Sequence, residues 1–86
     1  MKATIQVINP IRGMYAAEID GHGEYVIFEL LDTDEPQIGD VISHPDFYNM
    51  GGETFKNITQ GCNIEVFVED VCGASLVKQR CFLTSN

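Results

Sequence analysis

The sequence has no tryptophan, only five lysines and arginines against thirteen aspartates and glutamates, and no long apolar run. Each scarcity closes off a class of protein. A membrane-spanning helix needs about 20 consecutive apolar residues, and no stretch approaches that. The opening Met1-Lys2-Ala3-Thr4-Ile5-Gln6-Val7-Ile8-Asn9-Pro10 carries a charge but neither the apolar core nor the cleavage site of a secretory signal. The expected location is therefore the cytoplasm, with no membrane contact. A net charge of −8 repels a polyphosphate or an anionic lipid surface at long range. That disfavours single-stranded nucleic acid as a partner without forbidding a local site.

Cysteine is scarce and badly spaced for chemistry. Cys62, Cys72 and Cys81 are odd in number and include no Cys-x-x-Cys pair, so neither a disulfide framework nor a zinc site is implied. They are expected as small buried hydrophobes. Asn57-Ile58-Thr59 fits a glycosylation acceptor, which has meaning only in a secreted chain. His22 lies in a turn and His44 precedes Pro45, so neither has a helical partner at metal-ligand spacing. His44 and Asp46 could join Cys72 around a cation, but solvated loop residues are the simpler account. Asp32, Asp34 and Glu35 lack the glycine and terminal glutamate of a calcium loop. No nucleophile motif accompanies either histidine. No catalytic residue, metal or cofactor is expected, and the chain does not read as an enzyme.

What remains is β-structure almost throughout. Eighty-six residues suffice for one core, so residues 1–86 are expected to form one domain. Residues 3–8 alternate, with Ile5 and Val7 on one face, until Asn9-Pro10 breaks the run. Met14 to Ile19 and Glu24 to Leu31 flank Asp20-Gly21-His22-Gly23, a tight-turn signature because glycine supplies positive φ. Closing that hairpin opposes Ala17 to Val26 and Tyr15 to Phe28. One face then holds Tyr15, Ala17, Ile19, Val26, Phe28 and Leu30; a slip of one residue would bury Glu29 instead. Short strands follow at Val41–Ser43, Glu53–Thr59 and Asn63–Val71, with a possible bulge at Gly73. Ser75 to Leu83 reads as a last strand. An all-β chain of five to seven short strands implies a small OB-like barrel, because closure removes exposed edges.

The first half resembles a cold-shock domain, a five-stranded OB-type barrel. The resemblance lies in Asn9-Pro10-Ile11-Arg12-Gly13-Met14-Tyr15-Ala16-Ala17-Glu18, the Asp20-Gly21 turn, Tyr25-Val26-Ile27-Phe28 and Gly39-Asp40-Val41. It covers roughly residues 3–43 and stops at Ser43. It implies binding of single-stranded nucleic acid by base stacking on strands two and three. Arg12 and Gly13 fit the first motif, while Met14 and Ala16 stand where the family has stacking aromatics. In the second motif a direct match makes Val26 and Phe28 the stacking positions. The hairpin register instead makes those two core and puts Tyr25 beside Met14 and Ile27 on the platform. The nucleic-acid-binding candidates are therefore Arg12, Met14, Tyr25, Ile27 and Phe28. Stacking contributes about 1–3 kcal/mol per base, so a face so poor in aromatics would bind weakly.

A second candidate region is the loop carrying Phe47, Tyr48, Met50 and Phe55. It is too apolar for plain surface and too irregular for one strand face. Either it closes over the barrel and extends the core, or it forms an exposed patch for a partner or a second copy. The expected function is a non-catalytic interaction module engaging a protein partner or forming a homodimer. Its alternative is weak single-stranded nucleic-acid binding of the cold-shock type.

Overall fold

The computed structural model describes residues 1–82 of the protein. Six strands form a closed antiparallel barrel: β1 (Lys2–Asn9), β2 (Met14–Ile19), β3 (Glu24–Leu30), β4 (Val41–Ser43), β5 (Gly51–Asn57) and β6 (Cys62–Gly73). Around the wall they run β1-β2-β3-β6-β5-β4, and β4 closes back onto β1. The small all-β barrel is thus present, in an arrangement compatible with an OB-like fold. The hairpin pairs Ala17 with Val26 and Tyr15 with Phe28, as the turn chemistry requires.

The interior is packed solid. Ala3, Ile5, Tyr15, Ala17, Ile19, Val26 and Phe28 meet Ile42, Phe47, Phe55, Ile64, Val66 and Val68 from the opposite wall. Phe55 sits edge-on to both Phe28 and Phe47, with each pair of ring centroids 5.1 Å apart. The 44–50 loop therefore folds inward at Phe47, which fills the barrel as a core residue would.

Two bulges reassign side chains between faces. In β1 the register shifts between Ile5 and Val7, leaving Gln6 without a cross-strand partner. Ile5 and Val7, expected on one face, are thereby separated: Ile5 and Ile8 pack inward, and Val7 faces outward. In β6 the shift falls at Glu69, opposite the Ile27–Phe28 step, rather than at Gly73. Beyond it Val71 packs inward and Cys72 outward.

The tail corrects the expectation most. In place of a strand over Ser75–Leu83, Ala74–Leu76 form a 3-10 turn and Val77–Phe82 a short helix, α1, while Leu83 lies outside the described residues. Val77 and Cys81 stand four apart on one helical face, separated by the good helix formers Lys78, Gln79 and Arg80. A helix this short is marginal alone, so docking must stabilise it. Val77 and Cys81 bury against Met14, Ala16, Ile27 and Cys72 on the outside of the barrel. Asn9 Nδ2 donates to the Cys81 carbonyl at 3.2 Å. Among the described residues no helix is long and apolar enough to cross a membrane.

Asp40 holds the β3–β4 crossing in place. Its side chain is 6% exposed, and Oδ2 accepts from the Gln37 amide, Asn57 Nδ2 and Gln60 Nε2 at 2.9, 3.0 and 2.7 Å. Its backbone carbonyl accepts from Ile5 N beside the β1 bulge. Burial opposes the charged carboxylate, but the three donors outweigh it and hold the acid below its ordinary range. A native pKa lowered below the unfolded value adds stability above pH 4, and that contribution disappears as pH falls through the native value. Asp40→Asn is expected to cost about 2 kcal/mol at pH 7. In urea titrations the gap between wild type and variant should narrow below pH 4. A gap independent of pH would contradict this assignment.

Candidate binding site at the barrel mouth

Three connections meet at one end of the barrel: the β1–β2 turn, the β3–β4 crossing and, behind them, the β5–β6 turn. Gly13 takes a positive φ of 65°, which closes the first of these tightly, and its carbonyl accepts from Leu30 N at 2.9 Å. The crossing is fastened from below by Asp40 and from the side by Gln60 Nε2, which also donates to the Glu35 carbonyl at 3.2 Å. Between the two connections opens a cleft of about 370 Å³, lined by Ile8, Pro10, Gly13, Tyr15, Leu30, Asp32, Glu35, Pro36 and Gln37.

Large apolar residues flank the cleft lining in sequence. Ile11 is 94% exposed, Ile38 61% and Leu31 57%, and each stands next in sequence to a residue lining the cleft. Asp32, Asp34 and Glu35 lie on the same crossing. Tyr15 contributes the floor: it is 4% exposed and its ring stacks on Phe28 at 5.5 Å. Burial pushes its phenol above the ordinary value, and the Glu35 carboxylate adds to that. These residues were absent from the candidates named on sequence grounds, although a clue was present. Ile11 and Ile38 are large apolar residues on turn tips, in Pro10-Ile11-Arg12-Gly13 and Gln37-Ile38-Gly39.

The platform named from the cold-shock resemblance lies elsewhere and is covered. Met14 is 4% exposed and Ile27 fully buried, both beneath α1; Phe28 is fully buried inside the barrel. Tyr25 is half-buried against the same helix-covered cluster, and Arg12 is half-buried in the β1–β2 turn. Bases could not stack on Met14 or Ile27 without α1 moving away. Of the loop candidates, Phe47 and Phe55 are fully buried, whereas Tyr48 and Met50 are 39% and 50% exposed. The four do not share one surface. Tyr48 instead donates its hydroxyl to Glu24 at the turn end of β3.

His44 has local partners on both ring nitrogens. His44 Nδ1 accepts from the Asp46 amide at 2.9 Å, so Nε2 carries the proton and donates to Glu53 at 2.8 Å. Both ring nitrogens are engaged, and Cys72 lies across the barrel wall from them under α1. Among the described residues no three His, Cys, Asp or Glu side chains converge as a metal-ligand set. Burial raises all three thiols, Cys62, Cys72 and Cys81, the last to about 11. They are protonated at neutral pH and make poor nucleophiles.

No family model matches the sequence, and no curated protein or solved structure matches it significantly. Function must therefore be argued from the chain's own chemistry.

The thiol chemistry provides a check on the helix that covers the platform. At pH 8 iodoacetamide is expected to alkylate Cys81 about 100-fold more slowly in the native protein than after unfolding in guanidinium, from its depleted thiolate alone. Peptide mapping of the label resolves the site. Equal rates would mean that α1 does not cover Cys81.

Proposed function

We propose that this chain is a non-catalytic interaction module that engages a protein partner at the mouth of an OB-like barrel. The observation that carries this is that three exposed apolar side chains, Ile11, Leu31 and Ile38, each adjoin in sequence a residue lining one cleft. A soluble chain of strongly negative charge keeps such residues in water at a cost, and clustered exposed apolar groups usually mark an interaction site. The three free thiols, two of them buried, suit a reducing compartment, which supports a cytoplasmic location.

The cold-shock-type alternative, weak binding of single-stranded nucleic acid, has less support. Its face would need Met14, Tyr25 and Ile27 open to bases, and α1 lies over that cluster. Arg12, Lys78 and Arg80 are few cations to offer a phosphate there, Arg80 is already paired with Asp70, and the net charge is −8. A homodimer through the mouth is the other form the interaction could take, and it would place two acidic crossings face to face.

Panning a random peptide library against the immobilised barrel tests this. Selected peptides are expected to bind Ile11→Asp/Leu31→Asp at least tenfold more weakly, with circular dichroism unchanged because both residues are exposed. Binding indifferent to that change, or lost on addition of a mixed single-stranded oligonucleotide, would overturn it.

A further inference from the structure

We infer that the barrel mouth takes a lysine or arginine side chain carried on an apolar segment of the partner protein. This rests on the mouth being a partner site and specifies what enters it.

The floor of the cleft holds a polar group with no protein partner among the described residues. Tyr15 is 96% buried, yet its hydroxyl has no hydrogen-bond partner among the described residues. Every fully enclosed side-chain nitrogen or oxygen among those residues is satisfied, so the Tyr15 hydroxyl must face the cleft itself. At neutral pH it is an intact phenol, with an oxygen able to accept and a proton able to donate. Above it the walls are the hydrocarbon of Ile8, Leu30 and Pro36, which suits a methylene stem.

The rim carries uncompensated negative charge. Glu35 is exposed, and its carboxylate makes no ion pair or hydrogen bond among the described residues. Asp32 uses its oxygens on the amides of Thr33 and Glu65, at 2.7 and 3.3 Å, and retains its charge. No lysine or arginine is among the lining residues; Arg12, in the turn between the lining residues Pro10 and Gly13, has its charge felt at the Cys81 thiol on the helix side.

These features select one chemistry. An anion would meet Asp32 and Glu35 at the entrance. A plain hydrocarbon would strip water from the Tyr15 hydroxyl and the carboxylates without replacing its hydrogen bonds. An ammonium or guanidinium on an alkyl stem satisfies the phenol oxygen and Glu35 with its N–H donors while its stem lies along the walls. A free small amine could do this as well, but it would leave Ile11, Leu31 and Ile38 in water. Those three call for apolar neighbours flanking the cation, which a polypeptide supplies.

The test is an amide chemical-shift titration of the labelled full chain with three probes. They are the capped peptide Leu-Lys-Leu-Lys-Leu, the same peptide with norleucine replacing lysine, and n-butylammonium. The lysine peptide is expected to shift Tyr15, Leu30 and Gln37. Its affinity should fall about fivefold in Glu35→Gln and in Tyr15→Phe, and fall further as salt is raised. Neither removed group bonds to the fold, so both variants should keep the native melting temperature. Equal binding of the norleucine peptide would overturn the cationic assignment and leave the apolar mouth standing. Butylammonium binding as tightly as the lysine peptide would make the ligand a free amine rather than a protein. Failure of both peptides to shift the mouth would remove this inference together with the partner site it rests on.

Discussion

A single buried carboxylate decides the shape of the mouth. The β3–β4 crossing must carry the chain from the middle of one half of the barrel to the closing edge of the other. Ten residues do this without regular structure, and their backbone groups would otherwise have few partners. Asp40 gathers three N–H donors from the crossing itself, from β5 and from the β5–β6 turn. Its backbone, with that of Gly39, pairs with Ile5 beside the β1 bulge. An isolated buried charge would be costly; one that accepts three hydrogen bonds is a fixed point. Glu35, Pro36 and Gln37 are held in place by that point, and with them one wall of the cleft.

The barrel's two sides have been put to different uses. On the outside of β2 and β3, Met14, Ala16 and Ile27 could have formed an open face. The chain's own α1 closes it with Val77 and Cys81, and the surface pair between Arg80 and Asp70 at 3.0 Å contributes little more. At the end of the barrel no segment among the described residues performs that service. Ile11, Leu31 and Ile38 stay exposed next in sequence to residues lining a cleft whose floor is Tyr15, a tyrosine whose hydroxyl has no partner among the described residues. Apolar surface covered in one place and left bare in another is a difference that packing alone does not call for. In the proposed reading, acidic side chains on the β3–β4 crossing would disfavour self-association and favour a partner of the opposite charge.

Much of the barrel was legible from local chemistry. The Asp20-Gly21 turn and the alternation beside it determine a register, and that register sorts Tyr15, Ala17, Val26 and Phe28 inward. The β1 bulge was not legible, because Gln6 alternates as an ordinary strand residue and carries none of the glycine that often marks a bulge. The tail was misread because Val77 and Leu83 fit an alternating pattern as well as Val77 and Cys81 fit a helical one; packing on Ile27, which no local window contains, decides it. The mouth was the least legible element. Tyr15 reads as core from its alternation, and it is core; only the conjunction of three distant connections leaves its hydroxyl facing a cleft. Likewise nothing local distinguishes Phe47, which plugs the barrel, from Tyr48 beside it, which does not.

The central claim is that one apolar surface is closed by the chain and the other is left open. Line broadening of isoleucine, leucine and valine methyl resonances by a soluble nitroxide measures this directly. The account predicts strong broadening of Ile11, Leu31 and Ile38, with Ile27 and Val77 protected to the same degree as Val26 inside the barrel. Broadening of Ile27 comparable to that of Ile11 would contradict it, because the face beneath α1 would then be open to solvent.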